Sequence, residues 1–148
     1  MAVVTYNVGA DTIMERALST TALDLRAAHV ESTTGATDIA NIINQDLDNV
    51  AAIEALTNIS VHANRVALTG ETSTEDDTNN RANVDSADIV FPAAAGVTAW
   101  GAIIYDEGGG TDATRTLIWG MSFATGQPVD GGLTLTVTDF LRVLTATA

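Results

Sequence analysis

The chain has 148 residues, of which 19 are acidic and six basic, for a net charge of −13 and a pI of about 4.1. That length fits one domain with a core, and a hydrophobic content of 46% excludes a disordered chain. All six basic residues are arginine and there is no cysteine, which argues against a lysine-lined nucleic-acid surface and rules out disulfides, thiolate metal sites and cysteine nucleophiles.

No apolar run approaches the roughly 20 residues of a membrane span. The first ten residues lack the basic and apolar regions of a secretory signal. They are largely apolar, and form an expected N-terminal arm over 1–10. Asp11 is placed to cap a short helix over 12–18. Residues 23–31 alternate in a strand pattern, and 32–37, with Gly35, read as a turn. Thr37 or Asp38 is placed to cap a second helical stretch. Its apolar stripe is Ile39, Ile42, Ile43 and Leu47, extended by Val50, Ile53 and Leu56, with a weak point at 46–49.

A strand is expected over 61–68. The polar run 71–80 (ETSTEDDTNN) reads as a loop, and 82–91 as a strand ahead of Pro92. The most apolar segment, 97–105 (VTAWGAIIY), reads as a central strand. A glycine-rich connection over 106–113 joins it to a returning strand over 116–123. Turns are expected over 124–128 and 129–132. Residues 133–137 alternate strictly, and 140–144 form a last short strand. Short strands at regular spacing with glycine-rich turns point to an all-β fold: an antiparallel β-sandwich, jelly-roll-like, with one or two short N-terminal helices. The expected organisation is a single domain over 1–148, the arm followed by a sandwich over 11–148.

The order of these motifs resembles a family of small β-sandwich virion proteins of tailed phages and viruses, whose members are described variously as head-decoration or tail-fibre-like. Four segments carry the resemblance: 23–32 (LDLRAAHVES), 74–92 (TEDDTNNRANVDSADIVFP), 99–119 (AWGAIIYDEGGGTDATRTLIW) and the closing 129–143. Together they span Leu23 to Leu144. The chain departs from the family between Asp38 and Ala63, where Asn58, Ile59 and Ser60 replace the usual glycine-tyrosine turn.

The resemblance implies a non-enzymatic structural role in the virion, most directly as a capsid decoration or cement protein. The alternative it leaves is a tail or tail-fibre accessory protein that helps attach the particle to its host. The implied partners are the major capsid protein or other virion proteins and further copies of the chain, a trimer by the habit of virion β-domains. The implied location is the capsid surface or the tail. Neither nucleic acid nor membrane is an expected partner.

The chemistry in the sequence is consistent with this. Asp76, Asp77, Asp106 and Asp112 are candidate cation ligands, since clustered oxygens suit Ca²⁺ or Mg²⁺. They lack the spacing of a calcium loop, and charged runs are usually solvated faces, so no metal and no cofactor are expected. Gly108, Gly109 and Gly110 are read as turn residues rather than a phosphate loop, because no lysine follows. His29 and His62, the only two histidines, make a weak zinc case without cysteine and are expected instead to be hydrogen-bonded structural residues. Ser122, His62 and Asp106 supply the residue types of a triad without a nucleophile elbow, so no catalytic site is assigned. Trp100 and Trp119 belong by pattern to the core, and either becomes a subunit anchor if exposed. Val3, Val4 and Tyr6 of the arm are expected to add a strand to a neighbouring subunit. Arg65, Arg81 and Arg115, at strand–loop borders, are candidates to pair with a neighbour's carboxylates, the simple alternative being pairing with the abundant Asp of the chain itself.

Overall fold

The strand β8, nine residues from Thr98 to Asp106, is buried on both faces from Gly101 onward, with Ala102, Ile103, Ile104 and Tyr105 in succession. Such a strand is stable only at the centre of a sheet covered on both sides. The computed structural model describes residues 2–6, 23–76, 81–108, 110–137 and 141–144, with the side chains of 73, 75, 76, 81–83 and 141–144 left aside. In it β8 lies between β9 (Thr116–Pro128) and β2 (Leu25–Ser32), antiparallel to both. β1 (Ala2–Thr5) closes the far side of β9. The short β3 (Ile59–Val61) and β4 (Val66–Ala67) both pair with β2. The order across this sheet is β1-β9-β8-β2-β3, with β4 beside β2.

Two smaller antiparallel sheets complete the described strands. One pairs β7 (Ile89–Phe91) with β10 (Leu133–Leu135). The other runs β11-β6-β5 and consists of β5 (Thr72–Asp76), β6 (Arg81–Asp85) and β11 (Leu141–Leu144). The fold is therefore all-β and antiparallel, with only short helices among the described residues.

The period-two alternation sorts the core into two layers. On one face of the large sheet Leu25, Ala27, Ala102, Ile104, Met121 and Phe123 meet Ile89 and Phe91 of β7. On the other, Ala28, Val30, Ile103, Tyr105 and Leu117 meet the helical segment 36–54. That segment holds α1 (Ala36–Ile39), a 3₁₀ turn (Ala40–Ile42) and α2 (Val50–Glu54). Ile39, Ile42, Val50 and Ile53 are buried as the apolar stripe requires.

The helical stretch is interrupted across the weak point at 46–49, as the sequence allows, but it is not capped where the sequence suggests. Gly35, at φ 72°, precedes α1, and Asp38 lies inside its first turn. The Asp38 carboxylate accepts hydrogen bonds from Thr34 Oγ1 (2.6 Å) and Asn58 Nδ2 (2.7 Å). Asn49 caps α2, its Oδ1 accepting from the Ala52 N–H at 3.0 Å. Leu47 is tied into a local turn, its N–H donating to the Asn44 carbonyl at 3.2 Å, and Asn49 forms an antiparallel bridge with Thr116, so the helix cannot run through 46–49.

Four further boundaries differ. The strand expected over 61–68 is divided into β3 and β4 around His62–Arg65. The strand expected over 82–91 is split at 86–88, where Asp85 Oδ1 accepts from the Ser86 N–H (2.8 Å) and the chain moves between sheets. The polar run taken for a loop contains β5, since threonine suits a pleated strand with or without an apolar face. The turn expected over 124–128 is instead the far part of β9. Thr98↔Pro128 and Ala99↔Gln127 remain paired, and the irregularity is a register shift between Ala99 and Gly101. Gly126 permits the close approach: a Cβ there would lie 2.5 Å from Thr98 Cγ2. The helix expected over 12–18 lies outside the described residues.

The N-terminal arm also departs from expectation. β1 pairs with its own β9, from Ala2↔Ser122 to Thr5↔Trp119. Val4 and Tyr6 point into the core, and the Tyr6 hydroxyl donates to the Ile42 carbonyl at 2.7 Å. Deleting residues 1–8 is therefore expected to destabilise the monomer, seen as a lower urea midpoint than wild type. Gly101→Ala is expected to cost about 1–3 kcal/mol by overpacking. Its new Cβ would stand 2.6 Å from the Met121 carbonyl oxygen and 2.9 Å from Ile42 Cδ1. An unchanged urea midpoint for this variant would show that the β8–β9 spacing is not set at this glycine.

Candidate functional site

The β8–β9 connection opens with Asp106, Glu107 and Gly108, and closes with Asp112 and Arg115. Asp106 is 2% exposed, and its Oδ1 accepts the Asp24 N–H at 3.0 Å. Arg115 forks onto Glu107, Nε to Oε2 at 3.0 Å and Nη2 to Oε1 at 2.7 Å. Its Nη1 also donates to Asp112 Oδ1 at 2.6 Å. The same Asp112 oxygen accepts from Arg65 Nη1, and Arg65 reaches Glu54 Oε1 at 3.8 Å. Arg26 extends the chain of charges, with Nε 3.6 Å from Glu107 Oε2 and Nη2 3.2 Å from Asp24 Oδ2.

Both Arg65 and Arg115 lie over the Tyr105 ring, at 5.7 and 5.9 Å from its centroid. Cations over an aromatic face contribute about 0.5–1 kcal/mol each at exposed sites and more when desolvated. Hydrogen bonds from Arg115 hold the Glu107 carboxyl below its usual range, and those from Arg65, with Arg115, do the same for Asp112. Burial, with Asp112 nearby, pushes the Glu54 carboxyl up.

This cluster reassigns four residues. Arg65 and Arg115, candidates to pair across an interface, spend their donors within the chain. Asp106 and Asp112, candidate cation ligands, are held by an amide and by two guanidinium groups. The cluster fastens the hairpin base to β2, to α2 and to the segment after β3.

The remaining expected site residues are dispersed. Trp119 is 3% exposed and belongs to the core. Trp100 is half-buried, with its ring against Gly35, where a Cβ would lie 2.9 Å from Cη2. Val4 and Tyr6 are buried, whereas Val3 is 54% exposed. Asp77 lies outside the described residues, as do the side chains of Asp76 and Arg81.

A second cluster was not assigned from the sequence. His29 is fully buried on β2, and its ring stacks on His62 with centroids 4.2 Å apart and planes at 21°. Phe91 meets it edge-on at 5.3 Å. Neither His29 nitrogen has a hydrogen-bond partner, contrary to the expectation of a hydrogen-bonded structural histidine. Burial, with the neighbouring His62, pushes the His29 pKa down to about 4. His62 Nδ1 accepts the Asn64 N–H at 3.0 Å, and its Nε2 is 3.9 Å from Glu31 Oε1. The signal in the sequence is His29-x-Glu31, two residues apart and so on one face of a strand. The third member, His62, is visible only once β3 is set beside β2.

Comparison with protein-family models, with curated proteins and with solved structures gives no match.

The arginine cluster generates a pH prediction. Glu107 and Asp112 have folded pKa values below their unfolded ones, about 4.3 and 3.9. Their stabilisation is thus complete above those values and lost as pH falls through the lower folded ones. Arg115→Ala is expected to lower stability at neutral pH by about 1–3 kcal/mol. Its gap to wild type should then narrow as the pH falls below about 4. Thermal melts of the two proteins across that range check this; a gap of constant size would show that the pairing does not reach the carboxylates.

Proposed function

We propose that this chain is a non-enzymatic structural protein of a tailed-virus particle, a decoration protein that cements the capsid through contacts with the major capsid protein and with its own copies. The observation that carries the reading is the outer edge of β1. Among the described residues no strand pairs with that edge. The Tyr6 N–H bonds to the Ile118 carbonyl (3.1 Å) on the β9 side. By alternation the Val3 and Thr5 backbone groups point the other way, toward solvent. Val3 adds an apolar side chain that is 54% exposed. An unpaired edge with an apolar residue is a template for strand addition by a partner.

The ordered motifs from Leu23 to Leu144 that resemble virion β-sandwich proteins support the same reading. Many weak edge contacts repeated over a symmetric shell sum to strong attachment. A net charge of −13 favours a partner face that is apolar or basic.

Val3→Pro tests the edge. Proline removes an outward N–H and leaves the β9-facing bonds of Val4 and Tyr6 in place. The variant is expected to keep a thermal midpoint within a few degrees of wild type while its occupancy on purified particles falls about tenfold or more, the change of a lost edge worth about 1.4 kcal/mol. Equal occupancy would exclude the β1 edge as the contact. A cryo-EM map of particles carrying the chain is expected to place it at repeated positions over the shell; density at the tail alone would replace decoration by a tail accessory role.

A further inference from the structure

We propose that His29, Glu31 and His62 form a binding site for one divalent transition-metal ion of the zinc type, which clamps β3 to β2. One ligand atom from each residue lies within 4.8 Å of the other two. The sheet register creates this grouping. Val30 pairs with Val61 and Glu31 with Ser60, and the His62 N–H donates to the His29 carbonyl at 3.0 Å. His29 and His62 are thus cross-strand neighbours, and Glu31 follows His29 on the same face.

The observation that points to a ligand is His29 itself. Its ring is 0% exposed, yet both nitrogens lack a hydrogen-bond partner. A buried imidazole normally satisfies at least one of them, and an orphaned buried polar group is strongly unfavourable. A metal ion would give one His29 nitrogen a partner from the direction of Glu31 and His62.

The donor set selects the ion. Two imidazoles and one carboxylate suit Zn²⁺, Co²⁺ or Ni²⁺, whereas Ca²⁺ and Mg²⁺ take oxygen ligands. Three protein ligands leave a fourth position for water. Solvent reaches the site at its rim, where the side chains of His62 and Glu31 are 18% and 33% exposed.

Binding requires one defined movement. Rings stacked at 21° hold their lone pairs in nearly parallel planes, so they cannot both aim at one ion. His29 is enclosed and wedged against Phe91, which leaves the partly exposed His62 to swing. A metal-bound imidazole carries its proton on the other nitrogen. Whichever His62 nitrogen ligates, Nδ1 can then no longer accept the Asn64 N–H, and that 3.0 Å hydrogen bond opens. The Asn64 amide therefore reports ligation by His62.

The test is Co²⁺ titration of the full chain in excess Mg²⁺, which occupies the general acidic surface. It is followed by visible absorption and by the Asn64 amide resonance. The expected result is one Co²⁺ per chain, d–d bands of a four-coordinate nitrogen–oxygen site, a shifted Asn64 amide and displacement of Co²⁺ by Zn²⁺. Because His29→Ala opens a hole in the core, the deciding variants are the rim substitutions Glu31→Gln and His62→Gln. Each is expected to weaken Co²⁺ binding about tenfold or more while leaving the metal-free thermal midpoint near wild type. Binding that Mg²⁺ abolishes, equal binding by both rim variants, or an Asn64 amide that does not respond would each overturn the site.

Discussion

Strand β8 has no solvent face, and the fold is organised around covering it. One side receives Ile89 and Phe91 from a two-stranded ribbon, and the other receives Ile39, Ile42, Val50 and Ile53 from a broken helical excursion. Both covers are short elements that would not persist alone. They hold because they land on a long, flat apolar surface built by β2, β8 and β9. In a chain without cysteine and with few aromatic residues, this two-sided burial takes the place of staples. Small side chains at Ala27, Ala28, Gly101 and Ala102 bring the layers close, which explains why a single added methyl at Gly101 meets backbone on one side and Ile42 on the other.

The arginines solve a separate problem. With 19 carboxylates and six guanidinium groups, positive charge is scarce. Three of the six arginines, Arg26, Arg65 and Arg115, converge at one end of the large sheet, where the polar residues 106–112 leave the core. Tyr105 supplies the aromatic floor on which two of them rest. The hairpin base is thereby fixed without a large core of its own.

How much of this was legible depended on whether the deciding interaction was local. The run 97–105 announces β8 by composition alone, and the stripe from Ile39 to Ile53 announces a buried face. That the stripe is two helices rather than one depends on Asn49 capping α2, a competition that propensity leaves balanced. β5 was hidden because it is polar and becomes a strand only through β6. Arg65 and Arg115 stood out by position, but their partners did not. Arg65 meets Asp112 across 47 residues, and a surplus of acids gives every arginine many paper partners. Val3 and Val4 lie on a strand as the sequence suggests, but that strand joins the chain's own β9, because an edge strand's sequence does not say whose edge it joins. The histidine pair was illegible for the same reason: it exists only in the register of β3 against β2.

The pairing of β1 with β9 has a consequence for the order in which the molecule is made. The Ala2 amide meets the Ser122 hydroxyl across 120 residues of chain. During synthesis β1 emerges well before β9 and finds its partner only once the chain as far as Ser122 has followed. Until then Val4 and Tyr6 have no sheet to enter, and the 3₁₀ turn at Ile42 lacks the phenol that later satisfies its carbonyl. Contacts of such long range close late and fold slowly, because the loop entropy must be overcome before they form. The segment that gives the finished protein its open edge is therefore also the segment left unpaired longest in the nascent one, and a growing chain at high local concentration is exposed to strand exchange with its neighbours at that position.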